Sequence, residues 1–299
     1  MSKPMQFTRV EGPEIMAYGN SSCQGCGHAT LARIAFKVLG PNTVYTSVPG
    51  CIWIALQGSI PRYWRGTVFE GGGALLSGIS NGLEVNGKEM HVVGFYGDGG
   101  TVDIGLQAMS AAAERNENLL WICADNEAYM NTGGQRSGAT TIYAATTTTP
   151  VAEYSRGKKT NKKNVPFIMA AHRVPYVATA SIAYPNDLVG KLQYAAGIKG
   201  FRYIHVQSPC PTGWGFDPSK TIRVARMMVE TGMWPLYEVT GDSVFKLNQK
   251  PRELKPVKEA LSLQGRFRHL QDVEYEYIQL QTSETWSKLL ENDGKKLPI

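Results

Sequence analysis

Cys23-Gln24-Gly25-Cys26, with Cys51 a short way on, gathers thiols early in the chain, and Gly97-Asp98-Gly99-Gly100 with Asn126 offers oxygens and bare backbone amides. Thiolates are soft ligands that select zinc or iron, whereas a carboxylate, a carboxamide oxygen and glycine N–H groups suit a hard cation carrying a diphosphate. One chain thus holds residues for two unlike cofactor sites.

Two intervening residues let Cys23 and Cys26 close on one metal centre, and Cys51 and Cys210 are each bracketed by turn residues at expected strand ends. On chemistry alone four thiolates fit a [4Fe–4S] cluster or structural Zn2+ equally well. A thioredoxin-like redox pair would use Cys23 and Cys26 but leave Cys51 and Cys210 idle. Cys123, inside Leu120-Trp121-Ile122-Cys123-Ala124, reads as a small buried hydrophobe.

The elements that carry these residues follow from apolar periodicity. Ala29 to Leu39 has helical spacing and ends at Gly40, and Thr43 to Val48 is a strand running into Pro49-Gly50-Cys51. Gly71-Gly72-Gly73 opens a helix reaching Val85, and Met90 to Tyr96 is a buried strand that enters Gly97-Asp98-Gly99-Gly100. A helix from Asp103 to Arg115 and a strand from Leu119 to Ala124 come next. Residues 131–163 break the pattern: they are rich in Thr, Gly and Ser and end in the basic run Arg156-Gly157-Lys158-Lys159-Thr160-Asn161-Lys162-Lys163, expected to be a solvated loop. Alternation resumes with a helix at Phe167 to Ala171, a strand at Tyr176 to Ala180, a helix at Asn186 to Ala196 and a strand at Tyr203 to Gln207 that leads into Ser208-Pro209-Cys210-Pro211. A helix after Thr221, a short strand at Leu236 to Val239 and a tail with two helices complete the chain. This order predicts an α/β fold, a parallel twisted sheet with helices on both faces. The expected division is an α/β domain over 1–220 and a C-terminal helical arm over 221–299.

In open α/β sheets ligands sit beyond the carboxyl ends of the strands, where Gly97 to Gly100 falls. Glycine amides can approach a phosphate closely, and the helix start that follows favours negative charge. Asp98 adds a carboxylate, and Asn126 a neutral oxygen at the end of the next strand. Gly-Asp turns are common, so the motif alone is equally an ordinary turn. The strand before it, the helix after it and the asparagine one unit on favour a cofactor loop.

Gly-Asp-Gly followed at this distance by Asn resembles the fingerprint of thiamine diphosphate-dependent enzymes. More narrowly, Tyr129-Met130-Asn131-Thr132-Gly133-Gly134-Gln135, Cys210-Pro211-Thr212-Gly213-Trp214-Gly215 and Leu263-Gln264-Gly265-Arg266-Phe267 look like the β subunit of the 2-oxoacid:ferredoxin oxidoreductases, the pyruvate synthase group. The likeness covers nearly the whole chain. It implies a thiamine diphosphate-binding fold in which Asp98, Asn126 and the Ala128 carbonyl hold Mg2+, and Gly97 to Gly100 form the diphosphate loop, with Gly99 and Gly100 in contact. It also implies that Asn131 faces the reacting carbon and that Cys23, Cys26, Cys51 and Cys210 bind a [4Fe–4S] cluster, which decides for iron over zinc. Ile54 matches an apolar position bordering the substrate pocket, with core packing as its alternative. Glu70 is a candidate cofactor contact, or else a helix-entry carboxylate.

Thiamine diphosphate stabilises the carbanion left when a 2-oxoacid loses CO2, and a neighbouring cluster can take up electrons stepwise. The reaction implied by the resemblance is oxidative decarboxylation of a 2-oxoacid, with CoA as acyl acceptor and ferredoxin as electron acceptor. Pyruvate is favoured. Oxalate, branched-chain and aryl 2-oxoacids are alternatives, because Gly71-Gly72-Gly73 and Gln57 depart from what a pyruvate enzyme of the family is expected to carry. Rival classes are a zinc-stabilised, non-catalytic scaffold subunit and a non-oxidative thiamine enzyme. His172 and His205 read as structural, while His28 fits either a place near the cluster or a helix start; for the basic run at 156–163, contact with CoA phosphates or ferredoxin is the alternative to a solvated loop.

Composition is compatible with this. The chain has 299 residues, 42% of them hydrophobic, enough to bury a core, and its net charge of +6 is too mild and dispersed for nucleic acid. Met1 to Glu14 is polar and no run of apolar residues approaches a membrane span, so a cytoplasmic protein with no membrane partner is expected. The residues that are missing matter as well. There is one diphosphate-binding unit, no second domain to supply a carboxylate to the aminopyrimidine ring, and no CxxCxxCxxxC run to lead electrons outward. The chain is therefore expected to be one subunit of a hetero-oligomer, completed by α, γ and δ subunits or fused equivalents. Purified alone it should show no turnover, and co-expressed with those partners it should; robust turnover by the lone chain would overturn this expectation.

Overall fold

A computed structural model describes the chain apart from residues 3–5 and 61–63. Its strands are β1 (Thr43–Ser47), β2 (Trp64–Gly66), β3 (His91–Gly97), β4 (Leu119–Asp125), β5 (Val151–Ala152), β6 (Ser155–Arg156), β7 (Tyr176–Ser181), β8 (Phe201–Gln207), β9 (Tyr237–Thr240) and β10 (Phe245–Leu247). The helices are α1 (Gly27–Leu39), α2 (Cys51–Leu56), α3 (Gly72–Val85), α4 (Leu106–Glu114), α5 (Val165–Ala171), α6 (Pro185–Ala196), α7 (Pro211–Trp214), α8 (Thr221–Glu230), α9 (Val257–Leu261) and α10 (Asp272–Asn292).

Eight strands form one sheet in the order β10-β9-β7-β8-β4-β3-β1-β2. The pairs from β7 across to β2 are parallel, while β9 runs antiparallel to β7 and β10 antiparallel to β9. Successive side chains of a strand point to opposite faces, so the apolar runs in β3 and β4 divide between two cores. Val93, Phe95, Leu120 and Ile122 pack beneath Leu31 and Phe36 of α1 and Leu188 and Leu192 of α6. Val92, Trp121 and Cys123 pack against Leu76 of α3, Met109 of α4, Met169 of α5 and Trp286 of α10. The parallel α/β core is thus as the periodicity predicts. No helix among the described residues is long and apolar enough to cross a membrane.

The short elements β2 and β10 go beyond the sequence reading, as do α2, α7 and the β5–β6 hairpin. The first two are edge strands of three residues each. Helical geometry also begins sooner than expected after β3, as a wide π turn over Gly99–Asp103 that precedes α4. At the C-terminus, β9 and β10 extend the main sheet, and α10 lays Trp286 and Leu289 into the second core. The helical extension folds back on its own chain.

The glycines opening α3 have a packing cause. A Cβ on Gly73 would stand 2.4 Å from the carbonyl oxygen of Ala108, so α3 and α4 touch backbone to backbone there. A Cβ on Gly72 would stand 2.9 Å from the Tyr96 ring. This helix contact gives Gly72 and Gly73 a packing role that does not depend on the substrate. Gly73→Ala should force the helices apart and cost about 1–3 kcal/mol in urea unfolding; an unchanged midpoint would show that the contact carries no constraint.

Candidate functional site

β8, β4, β3 and β1 are neighbours and parallel, so their carboxyl ends share one edge of the sheet. Cys210 follows β8, Asn126 follows β4, Asp98 follows β3 and Cys51 follows β1. The chain leaves β1 towards α2 in the first core and leaves β3 towards α4 in the second. Connections departing to opposite faces from adjacent strands open a crevice between them. Here the crevice is a cavity of about 160 Å3, bounded by Pro49-Gly50-Cys51 on one side and Gly97 to Gly100 on the other, with Asn126, Ala128 and Asn131 also lining it.

Asp98 is 1% exposed and its Oδ2 accepts a 2.5 Å hydrogen bond from the Ser137 hydroxyl. The Asn126 carboxamide beside it can take two orientations. With its NH2 turned inward it donates to the Ala128 carbonyl at 2.8 Å and to Asp98 Oδ1 at 3.2 Å. With its oxygen inward, that oxygen stands close to two others, an arrangement that a cation among them would stabilise. Octahedral Mg2+ at 2.0–2.1 Å from its ligands spaces adjacent oxygens by about 2.9 Å, so the donor set fits a hard divalent cation. Burial, followed by repulsion from Asp125 and Glu127, pushes the Asp98 carboxyl well above the usual range. A cation would offset that cost.

Glu127, between the two oxygen donors, was missed by the sequence reading. It is fully buried with φ +63°, in the left-handed region that non-glycine residues seldom enter. Lys162 donates to its Oε1, Arg266 Nη2 lies 2.8 Å from its Oε2 as an ion pair without linear hydrogen-bond geometry, and the Thr141 hydroxyl donates to Oε2 at 2.7 Å. Burial pushes this carboxyl up, but Lys162 and Arg266 outweigh it and hold it down at about 2. Arg266 also stacks on Trp214 at 3.8 Å, and the Trp214 indole N–H donates to the Asn126 carbonyl at 2.7 Å.

The basic run is solvated only in part: Lys159, Thr160, Asn161 and Lys163 are exposed, as expected of a solvated loop, but other members turn inward. Besides Lys162, Lys158 is 2% exposed and donates to the Thr140 carbonyl at 2.5 Å, Lys163 pairs with Asp103 at 2.7 Å, and Arg156 donates to Glu274 at 2.7 Å and to the His269 carbonyl at 2.8 Å. Four of its five charges are met by acids and carbonyls of the fold, while Lys159 stays exposed.

The thiol segments meet because two glycines permit it. A Cβ on Gly25 would stand 2.4 Å from the Pro218 carbonyl oxygen, and one on Gly27 2.8 Å from the Ser208 backbone. The Thr221 hydroxyl fastens the loop by donating to the Gly25 carbonyl at 2.7 Å. Three of the thiols stand at helix starts: Cys26 caps α1, Cys51 begins α2 and Cys210 caps α7, where Gly213 N–H donates to its sulfur at 3.3 Å. The amides of Ala29 and His28 lie by Cys26 and favour its charged form, although no cap hydrogen bond to the sulfur is formed. Such amides favour a negative sulfur. Burial, then repulsion from Cys210, Cys26 and Cys23, pushes the Cys51 thiol up to about 12, and burial likewise raises Cys26 and Cys210. The four thiols are thus within electrostatic reach of one another, although among the described residues no three His, Cys, Asp or Glu side chains are gathered tightly enough for a single metal ion.

Residues 60–206 match the thiamine pyrophosphate enzyme, C-terminal TPP binding domain family. The pyruvate synthase subunit PorB of Methanothermobacter marburgensis is 49% identical, over 91% of this chain and 96% of its own length. The ketoisovalerate oxidoreductase subunit VorB of Pyrococcus abyssi is 42% identical over 91% of either chain. The chain belongs to the β subunits of the 2-oxoacid:ferredoxin oxidoreductases. A solved 2-oxoglutarate:ferredoxin oxidoreductase from Magnetococcus marinus shares the fold, with a TM-score of 0.59 and 24% identity over 73% of this chain and 82% of that one.

Within this β subunit, the four cysteines at 23, 26, 51 and 210 all lie outside the matched thiamine-binding stretch of 60–206. Cys51 alone among them lines the cavity with Asp98 and Asn126. Asn131 is exposed at the rim of that cavity. Ile54 is half-buried in α2 and Glu70 is exposed just before α3; neither lines the cavity, whereas Phe69 does. His205 is a satisfied structural residue, its Nε2 2.8 Å from Asp125 and its Nδ1 2.9 Å from the Tyr203 hydroxyl. His172 lies 3.0 Å from the Ser110 hydroxyl. His28 lines the cavity; burial holds it down at about 4, and it lies by the Ala124 carbonyl with neither ring nitrogen in a well-aligned hydrogen bond.

Since the folded Glu127 carboxyl titrates at about 2 against an ordinary 4.5, its contribution to stability is complete above 4.5 and is lost as pH falls through about 2. Glu127→Gln, which leaves Arg266 and Lys162 without their carboxylate, should cost about 3–5 kcal/mol near neutral pH. In urea unfolding the gap between the two chains should close as pH falls below 4.5; a gap independent of pH would contradict the assignment.

Proposed function

We propose that this chain supplies the thiamine diphosphate and iron–sulfur half of a cytoplasmic pyruvate:ferredoxin oxidoreductase. The observation that carries the reading is the single cavity of about 160 Å3 in which Cys51 from one site faces Asp98 and Asn126 from the other. Asp98, the Asn126 carboxamide oxygen and the Ala128 carbonyl would hold Mg2+, a reading supported by their crowding at 2.8 and 3.2 Å. Gly97 to Gly100 would cradle the diphosphate, since no atom lies within 4 Å of where a Gly97 side chain would begin and the π turn presents its first amides at that point. Cys23, Cys26, Cys51 and Cys210 would bind a [4Fe–4S] cluster, supported by the helix starts that favour their charged form.

When bound, thiamine diphosphate supplies the carbon nucleophile and electron sink that allow a 2-oxoacid to lose CO2. The chain's own part is positional and electrostatic. Asn131 at the rim would orient the substrate, and the apolar wall at Phe69 and Met130 would keep water from it. CoA as acyl acceptor and ferredoxin as electron acceptor complete the proposed reaction. The remaining subunits would close the open rim and bring the carboxylate that faces the aminopyrimidine ring. Pyruvate is preferred because the pyruvate synthase subunit is the more similar of the two relatives described, at 49% against 42% identity.

The assembled complex, assayed with a viologen acceptor against pyruvate, 2-oxoisovalerate, 2-oxoglutarate, phenylglyoxylate and oxalate, should give its highest kcat/KM with pyruvate. Preference for another acid would move the substrate assignment within the family, and turnover without any electron acceptor would point to non-oxidative chemistry. The same anaerobic preparation should contain iron and labile sulfide, both reduced by Cys51→Ser. Stoichiometric zinc without sulfide would sink the cluster assignment.

A further inference from the structure

Two of the three oxygens at the cation site come from residues on either side of one that touches neither the cavity nor its contents. The carboxamide of Asn126 faces both the carbonyl of Ala128, at 2.8 Å, and Asp98 Oδ1, at 3.2 Å. In an extended chain the Asn126 side chain would project out of the pleated plane while the Ala128 carbonyl lay within it, so the two would diverge. They converge because Glu127 between them takes φ +63°, a backbone state that a residue with a Cβ adopts only when its surroundings impose it.

The surroundings engage every polar group Glu127 has. Its amide donates to Asp125 Oδ1 at 2.7 Å, its carbonyl accepts from the Thr140 hydroxyl at 2.5 Å, and its carboxylate receives Lys162, Arg266 and the Thr141 hydroxyl. Arg266 comes from the tail and Lys162 from the long loop, so segments far apart in the chain meet on this one carboxylate. Arg266 further braces Trp214, which holds the Asn126 carbonyl. Glu127 itself does not line the cavity.

We propose that Glu127 is a positioning residue: clamped by Arg266 and Lys162, it fixes the left-handed turn that aims the Asn126 and Ala128 oxygens at the cation. This inference rests on the reading of Asp98, Asn126 and Ala128 as cation ligands. Groups that orient metal ligands from behind are worth about 10–100-fold in metal affinity.

The test uses the assembled oxidoreductase stripped of thiamine diphosphate and Mg2+, with equilibrium dialysis at saturating thiamine diphosphate to find the Mg2+ concentration that gives half-maximal cofactor binding. Glu127→Gln should raise that concentration about 10–100-fold, with iron and sulfide content unchanged. Lys162→Met removes one anchor at a part-exposed position, is the safer variant should Glu127→Gln assemble poorly, and should shift it in the same direction. Glu127→Gly, free to adopt the left-handed turn, should bind Mg2+ about fivefold more tightly than Glu127→Ala, a difference that a purely structural role for the carboxylate would not produce. The proposal is overturned if Asp98→Asn abolishes the Mg2+ response while Glu127→Gln and Lys162→Met stay within about twofold of the unaltered enzyme. If Asp98→Asn itself leaves the response intact, the cation assignment fails, and the positioning role with it.

Discussion

Negative charge has to be concentrated at one edge of this sheet, out of water, and that requirement governs the arrangement of everything around it. Asp98, Asp125 and Glu127 are all at most 1% exposed, and repulsion among the buried acids adds to desolvation in raising Asp98. The thiols near them push one another's pKa values upward as well. A fold can keep such a cluster by holding some members protonated, as burial does for Asp98 and the thiols, and by directing positive potential at the rest. Here that potential comes from helix starts at Cys26, Cys51 and Cys210 and from two buried or half-buried cations, Arg266 and Lys162.

This explains why the irregular parts of the chain are as ordered as the sheet. The loop between β4 and α5 has little secondary structure, only the β5–β6 hairpin, yet it places Ser137 on Asp98, Thr140 and Thr141 on Glu127, and Lys158 under three carbonyls. The tail contributes in the same way. Its Arg266 lies between Glu127 and Trp214, four residues after Cys210, and so connects the oxygen site with a thiol segment. A buried ion pair of this kind is weak evidence for stability but a strong geometric constraint, because separating its members leaves an uncompensated charge.

Much of this was legible in the residues. Strands of near-continuous apolar character, such as Leu119 to Asp125, identify a parallel sheet buried on both faces, and the glycine-rich run after β3 marks where a ligand approaches backbone. Cys51 and Cys210 could be placed at strand ends by their flanking turn residues. Glu127 could not, since an acid after a strand reads as surface until its partners are known, and those partners are 35 and 139 positions away, at Lys162 and Arg266. The inward turn of the basic run was hidden for the same reason. Charge is read from sequence by composition, but its direction is set by tertiary pairing. One available signal was Glu127 standing between Asn126 and Ala128, where an acid has no obvious solvent to face.

The Gly25 carbonyl is held by Thr221, 196 positions later, and the loop between them rests on Ser208 and Pro218. During synthesis, therefore, Cys23 and Cys26 emerge from the ribosome long before the segments that fix their loop exist. For that interval they are a bare dithiol, open to oxidation or to capture by whatever metal is at hand. The order of the chain thus leaves these cysteines without a fixed loop until Pro218 and Thr221, both beyond the last parallel strand, have been made.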